Sequence, residues 1–259
     1  VEGLTVPLFD LAGKHAFVTG ASRGIGQAIA VGLAEAGADL ALVARSADGL
    51  ADTAESVTAI GRKACVITAD VTSEDEVDRA VRTAVAELGW VDVVVNNAGG
   101  SNFMVGFRDL RLAGWDKLIR LNLTSAVYVC HAFAPHLLER QQGSVINIAS
   151  VAGVASAPLL SPYGAAKAGL VSLTRSLAVE WAGDGIRVNA LCPGWTATDL
   201  NRNLWADEAA GPATIATVPM RRWGRPEEMA GPAVFLASEA SSFMTGQVLV
   251  VDGGQTVHP

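Results

Sequence analysis

Short runs of Val, Ile, Leu and Ala alternate along the chain with longer stretches whose apolar positions recur every three or four residues. The runs at Lys14–Thr19, Asp39–Ala44, Lys63–Thr68, Val91–Val95, Ser144–Ala149, Ile186–Leu191 and Gln247–Val251 read as strands. Several are apolar without alternation, as expected of strands covered on both faces. Between them, Ile25–Ala36, Ala47–Ile60, Glu74–Leu88, Ala113–Arg140, Tyr163–Ala182 and Pro226–Ala237 carry helical periodicity. At Thr72–Val77 a hydroxyl followed by acidic residues marks a helix start, where the positive end of the dipole favours carboxylates.

Such alternation predicts an α/β fold: a doubly wound parallel sheet with helices on both faces. Seven strands make one sheet, so a single domain over residues 1–259 is expected, free of linkers and repeats. The stretch Trp195–Arg225 fits neither period and carries Trp205, Gly211, Pro212, Pro219 and Arg221-Arg222-Trp223. A long irregular insertion in a compact domain suggests function; a substrate lid is expected there.

Composition narrows the classes. The 259 residues are 50% hydrophobic with a formal charge of −7 and no basic run, which argues against nucleic-acid binding. Cys65, Cys130 and Cys192 are scattered without metal-ligand spacing; they read as reduced, buried thiols, and no metal is expected. The longest apolar candidate, Leu121–Leu138, is broken by Asn122, His131, Pro135 and His136, so no membrane span is expected. The first residues lack the basic flank and apolar core of a signal peptide, and a start on Val1 suggests processing or trimming. A cytoplasmic protein is expected.

The candidate chemistry gathers at strand ends. TGASRGIG, Thr19–Gly26, follows the first strand with spacing Gly20-x3-Gly24-x-Gly26, and NNAGG, Asn96–Gly100, follows the fourth. Glycine turns where a strand enters a helix let backbone N–H groups approach phosphate. Two at the carboxyl edge of one sheet point to a dinucleotide. The second strand ends on Ala44 where an acid would bind a ribose 2′-hydroxyl, with Arg45 next. Together with Arg23 it suits a 2′-phosphate, which a guanidinium bonds bidentately, and favours NADP(H) over NAD(H). Tyr163 and Lys167 are four residues apart on one predicted helix face, where the cation is expected to lower the phenol pKa. Ser150 ends the fifth strand, and Asn122 lies in the helical stretch beyond NNAGG. Taken singly, these residues also read as a cap or as exposed helix surface.

In order and spacing, these motifs resemble the short-chain dehydrogenase/reductases along nearly the whole chain. The match covers TGASRGIG, Asp70 in TADV, NNAG, Asn122, Ser150, Tyr163-x-x-x-Lys167 and Pro193-Gly194. The resemblance implies a Rossmann sheet of order 3-2-1-4-5-6-7 and commonly a homotetramer. It implies that Tyr163 is the general acid or base, that Lys167 bonds the nicotinamide ribose and depresses the Tyr163 pKa, that Ser150 holds the substrate oxygen, and that Asn122 supports a water-linked relay. It lays the cofactor against Gly20, Ser22, Arg23, Gly24, Ile25, Gly26, Arg45, Asp70, Val71, Asn97, Ala98, Gly99, Tyr163, Lys167, Pro193, Gly194, Thr196 and Thr198. Asp70 and Val71 would meet the adenine edge, Asn97 the adenine-side ribose region, and Thr196 the carboxamide.

The substrate is less sharply indicated. Phe103, Met104, Val151, Leu159, Leu160, Trp195 and Trp205 are wall candidates, so a small, largely hydrophobic carbonyl compound and its secondary alcohol are expected. The family look is toward 3-oxoacyl-carrier-protein reductases and sugar or polyol dehydrogenases. Val179 stands where carrier-protein reductases tend to be basic, and the negative net charge opposes an acidic carrier. An NAD-dependent alcohol, polyol or sugar dehydrogenase, a 3-oxoacyl-carrier-protein reductase and, from another class, a non-catalytic nucleotide sensor remain alternatives.

Overall fold

The computed structural model describes residues 8–101 and 103–257; most of the signal-peptide reading, with Val1, lies outside them. In chain order the elements are β1 (His15–Thr19), α1 (Gly24–Glu35), β2 (Asp39–Ala44), α2 (Ala47–Ala59), β3 (Ala64–Thr68), α3 (Glu74–Leu88) and β4 (Val93–Asn96). Then follow α4 (Leu112–Ile119), α5 (Ser125–Arg140), β5 (Gly143–Ile148), α6 (Ser161–Trp181) and β6 (Ile186–Pro193). The chain ends with α7 (Arg202–Trp205), α8 (Ala210–Ile215), α9 (Ala230–Ala237) and β7 (Val248–Val251). The seven strands form one parallel sheet of order β3-β2-β1-β4-β5-β6-β7, as expected.

Neighbouring residues of one strand serve opposite cores. Ala16 and Val18 of β1 face the layer of α1 and α9 with Val93, Val95, Ile146 and Ile148. Phe17 faces the layer of α3, α5 and α6, with its ring edge-on to Phe133 at 4.9 Å between centroids. Burial on both sides explains the unbroken apolar runs. The order reverses between β1 and β4, and at that crevice the carboxyl ends of both strands open toward the glycine turns.

Three local features differ from expectation. The helix predicted over Ala113–Arg140 widens into a π turn at Arg120–Thr124, centred on Asn122; such bulges often mark functional sites. At the start of α3, Ser73 occupies the cap position without a side-chain bond, while the Thr72 hydroxyl donates to Asp70 Oδ1 and the Glu76 carboxylate accepts the Asp70 N–H. The stretch Trp195–Arg225 holds two short helices, α7 and α8, and its ends meet where Thr196 pairs with Gly224. Among the described residues no helix is long and apolar enough to cross a membrane.

Candidate active site

The two glycine turns are built into one another. Thr19 Oγ1 donates to Val95 O and accepts the N–H groups of Asn97 (3.0 Å) and Ala98 (3.1 Å). Asn97 Nδ2 donates back to Thr19 O (2.9 Å) and Gly20 O (3.1 Å). A Cβ on Gly26 would lie 2.2 Å from Gly20 O and 2.3 Å from Asn97 Nδ2, so only glycine lets α1 start this close to the turn. Gly24 has φ +59, with Thr198 Cγ2 3.4 Å from its Cβ position. Arg23 caps α1 without a side-chain bond, and no acid occupies the first turn. The helix thus presents unpartnered backbone donors and the positive end of its dipole, which suits a pyrophosphate.

Arg23 and Arg45 are both exposed, and among the described residues neither enters an ion pair. Burial raises the Asp70 carboxyl, but bonds from the Thr72 N–H and hydroxyl and the nearby Arg45 charge outweigh it and leave its pKa lowered. Asp70 therefore stays ionised while its Oδ1 holds the Thr72 turn. Of two further cofactor candidates, Asn97 donates from Nδ2 into the turn, and the Val71 side chain is buried in the core.

Asn122, Ser150, Tyr163 and Lys167 gather at the same edge. Ser150 lies two residues beyond β5 and caps a single turn, its Oγ accepting the Ala152 N–H at 3.1 Å. Burial pushes the Tyr163 phenol up, against a hydrogen bond with Ser150 that pulls it down. Lys167, 3% exposed, donates from Nζ to Ile148 O at 2.7 Å, and its Nζ lies 5.7 Å from the Tyr163 ring centroid. Burial drops its pKa to about 8. The expected depression of Tyr163 by Lys167 is not what this geometry produces: desolvation dominates both groups and drives each toward its neutral form.

Asn122 is 1% exposed, unlike an ordinary solvated helix residue. Its Oδ1 accepts the Gly100 N–H (2.7 Å), while Nδ2 donates to Gly100 O (2.9 Å) and Leu118 O (3.0 Å). A Cβ on Gly99 would lie 2.6 Å from Asn122 Oδ1 and 3.2 Å from Lys167 Nζ, which brings the NNAG turn, the π turn and α6 together. Both amide atoms of Asn122 are thus engaged with backbone.

The irregular stretch after β6 reaches both glycine turns. Thr196 is buried beyond Pro193-Gly194, and Thr198 rests on Gly24. Leu200 fills the space a Gly100 side chain would need, with Cδ2 2.4 Å from that Cβ position. Asn201 ties the segment down, donating to Thr196 O (2.9 Å) and accepting from the Thr198 N–H and hydroxyl. Trp195 and Trp223 pack edge to face at 5.6 Å, while Val105 N donates to Leu159 O and joins the two loops that carry the other wall candidates. The Trp205 indole donates to Thr198 O (2.8 Å), and the residue lines a groove along α1 with Gly24 and Gln27.

Sequence reading overlooked Leu200 and Asn201, although Thr198-x-x-Asn201 has the spacing of a capping box. Cys192, read from the sequence as a buried thiol, is fully buried, and desolvation pushes it up to about 11, against a bond from the Ser150 N–H and the Lys167 charge. Among the described residues no cluster of His, Cys, Asp or Glu is arranged to hold a metal ion.

A family model described as Enoyl-(Acyl carrier protein) reductase matches residues 20–256. Gluconate 5-dehydrogenase of Gluconobacter oxydans (strain 621H) is 40% identical over 250 residues, 96% of this chain and 97% of that protein. A rhamnolipids biosynthesis 3-oxoacyl-[acyl-carrier-protein] reductase of Pseudomonas aeruginosa is 44% identical over 255 residues, 96% of this chain and 98% of that one. Among solved structures, a gluconate 5-dehydrogenase from Burkholderia cenocepacia J2315 in complex with NADP and tartrate superposes with a TM-score of 0.92 at 38% identity, covering 97% of this chain and 98% of that one.

Proposed function

The chain belongs to the short-chain dehydrogenase/reductase family, and from that premise we propose that it interconverts a small, largely hydrophobic carbonyl compound and its secondary alcohol with NADP(H). The observation that carries this reading is the meeting of Ser150, Tyr163, Lys167 and Asn122 at the edge where the glycine turns open. The cofactor fits the residues present: the uncapped start of α1 would take the pyrophosphate, and Arg23 and Arg45 would take the 2′-phosphate. Relatives of both substrate kinds, a sugar acid and an acyl chain, share the scaffold.

Bound NADPH supplies a hydride to the carbonyl carbon. Ser150 Oγ holds the substrate oxygen, and Tyr163 Oη delivers a proton to it as negative charge develops. The raised phenol pKa keeps Tyr163 protonated at neutral pH, the state an acid needs in the reductive direction. Lys167 Nζ, kept in place by its bond to Ile148 O, would bond the nicotinamide ribose, while Asn122 holds the Gly99-Gly100 turn against α6. Trp195–Arg225 acts as the lid of the one domain, with Leu200, Trp195, Phe103, Met104, Val151, Leu159 and Leu160 forming an apolar wall that suits a β-keto ester or aliphatic ketone. A cytoplasmic homotetramer completes the reading, to be checked by light scattering.

Fluorescence titration with NADPH and NADH, followed by NADPH oxidation over aliphatic ketones, β-keto esters and 5-ketogluconate, tests the whole. Tighter NADPH binding and fastest turnover of the apolar carbonyls are expected; preference for NADH or for the sugar acid overturns the corresponding part. Tyr163→Phe should bind NADPH normally and lose about 10²-fold or more in kcat. A variant keeping most of its rate removes Tyr163 as the acid.

A further inference from the structure

A file of buried amides and a hydroxyl runs beneath the site and takes no part in the chemistry above. Asn96 of β4 and Asn147 of β5 are register partners, and Asn96 Nδ2 donates to Asn147 Oδ1 at 2.8 Å. Asn147 Nδ2 in turn donates to Thr174 Oγ1 of α6 at 2.8 Å, and that hydroxyl donates to Leu170 O at 2.8 Å. Asn96 is 5% exposed, and Asn147 and Thr174 are fully buried. The surroundings are apolar: Val145, Val188 and Ala178 belong to the adjoining core, Leu170 and Val171 to the patch beside it. Polar side chains in such a place are costly unless paired, and when paired they select one register over its neighbours.

The register they select is that of the helix carrying Tyr163. Tyr163, Lys167 and Thr174 stand at i, i+4 and i+11, on one stripe of α6. Consecutive residues of β5 attach to this stripe at two levels: Ile148 O takes Lys167 Nζ, and Asn147 Nδ2 holds Thr174 Oγ1 two turns farther along. Two attachments at different levels restrain turning and sliding of α6 beyond what the packing of its buried face does. Three residues beyond Asn147 the same strand delivers Ser150, the hydrogen-bond partner of Tyr163. On the other side, Asn96 leads directly into the NNAG turn, where Gly99 meets Asn122 and Lys167.

We propose that Thr174, through Asn147, is a positioning residue for the reaction: it fixes the register of α6 against β5 and so the placement of Tyr163 and Lys167 relative to Ser150. The proposal rests on the catalytic reading of Tyr163. Thr174→Val keeps the shape of the side chain and removes its oxygen, leaving Asn147 Nδ2 without its acceptor; Thr174→Ser keeps the oxygen and removes a methyl group.

The test uses the full-length chain with NADPH and the fastest carbonyl substrate of the panel above. Fluorescence titration counts NADPH-binding sites, and kcat is expressed per site, so protein lost to misfolding does not lower it. Thr174→Val is expected to lose about tenfold or more in kcat per site, since displacement of reacting groups by an ångström costs up to about a hundredfold. KM should change less, and Thr174→Ser should recover most of the rate. Thr174→Val within twofold of the parent, or Thr174→Ser as impaired as Val, overturns the proposal. Should Thr174→Val yield no folded protein, Thr174→Cys, a poor acceptor of similar size, is judged by the same criteria. Tyr163→Phe run alongside separates the two ideas. If it stays active, or if the parent turns over no substrate in the panel, the catalytic reading falls and the positioning role with it. If it is inactive while Thr174→Val is fully active, only the positioning role falls.

Discussion

Lys167 is the most expensive side chain in the site, and removing its charge should stabilise the protein while inactivating it. Lys167 is 3% exposed with one bond from its ammonium, to Ile148 O, and desolvation brings its pKa from 10.5 to about 8, with the Cys192 sulfur opposing. Holding that charge in the folded state costs roughly 3 kcal/mol at 1.36 kcal/mol per pKa unit. Lys167→Met fills the same volume without the charge; subtracting about 1 kcal/mol for the lost Nζ bond leaves a net gain of about 2 kcal/mol at neutral pH. The sign of the pH dependence follows from the lowered folded value. Below pH 8 both states are protonated and the full penalty applies. Between about 8 and 10.5 the folded chain releases its proton first, and parent stability rises with pH; above 10.5 the penalty is gone. Urea unfolding of cofactor-free parent and variant at matched protein concentration, from about pH 7 to about pH 10, reads this directly. The variant should lead by about 2 kcal/mol at pH 7, with the gap closing as pH rises. A variant less stable than the parent at neutral pH, or a gap that does not move with pH, refutes the argument.

The remaining expectations concern cofactor and lid. Arg45→Asp removes charge-assisted bonds worth about 1.5–3 kcal/mol, so NADPH binding should weaken roughly ten- to hundredfold while NADH gains an acceptor for its 2′-hydroxyl. Unchanged discrimination in a fluorescence titration would dismiss Arg45 as the phosphate reader. Gly26→Ala puts a methyl group 2.2 Å from Gly20 O and should abolish NADPH binding and lower Tm; a parent-like Kd contradicts the packing argument. Trp205→Phe loses the bond to Thr198 O and should raise KM several-fold while leaving stability within about 1 kcal/mol, provided Trp205 fastens the lid. An unaltered KM removes that role.

The sheet was legible because its inner strands are buried on both faces. A run such as Val93–Val95 serves two cores at once, so every position must be apolar, and the run stands out without alternation. Strand edges shifted by one or two residues because pairing, rather than hydrophobicity, decides where a strand ends; β6 continues through Cys192 and Pro193 by pairing with β7. The π turn was invisible for a related reason. One extra residue in a long helix barely disturbs its periodicity, and what holds Asn122 inward is the backbone of Gly100, twenty-two residues away in the chain.

The site was legible as a set of residues and less so as an electrostatic arrangement. Spacing on one helix face brings Lys167 near Tyr163, and a charge near a phenol should lower its pKa. That reasoning omits burial, a property of the assembled fold. Once α6 lies on the sheet, desolvation pushes the phenol up and the ammonium down, and no sequence pattern ranks that effect against the attraction. The same omission hid the support beneath the site. Asn147 in SVINIAS is a polar residue inside a buried strand, a visible anomaly. Its meaning depends on Thr174, twenty-seven residues on, and on Asn96, fifty-one residues before, which become its neighbours only when α6 and β4 close around it. Polar residues at positions the fold must bury therefore repay attention before the structure is known, because each must find a partner, and the partner shows which elements the fold must hold in register.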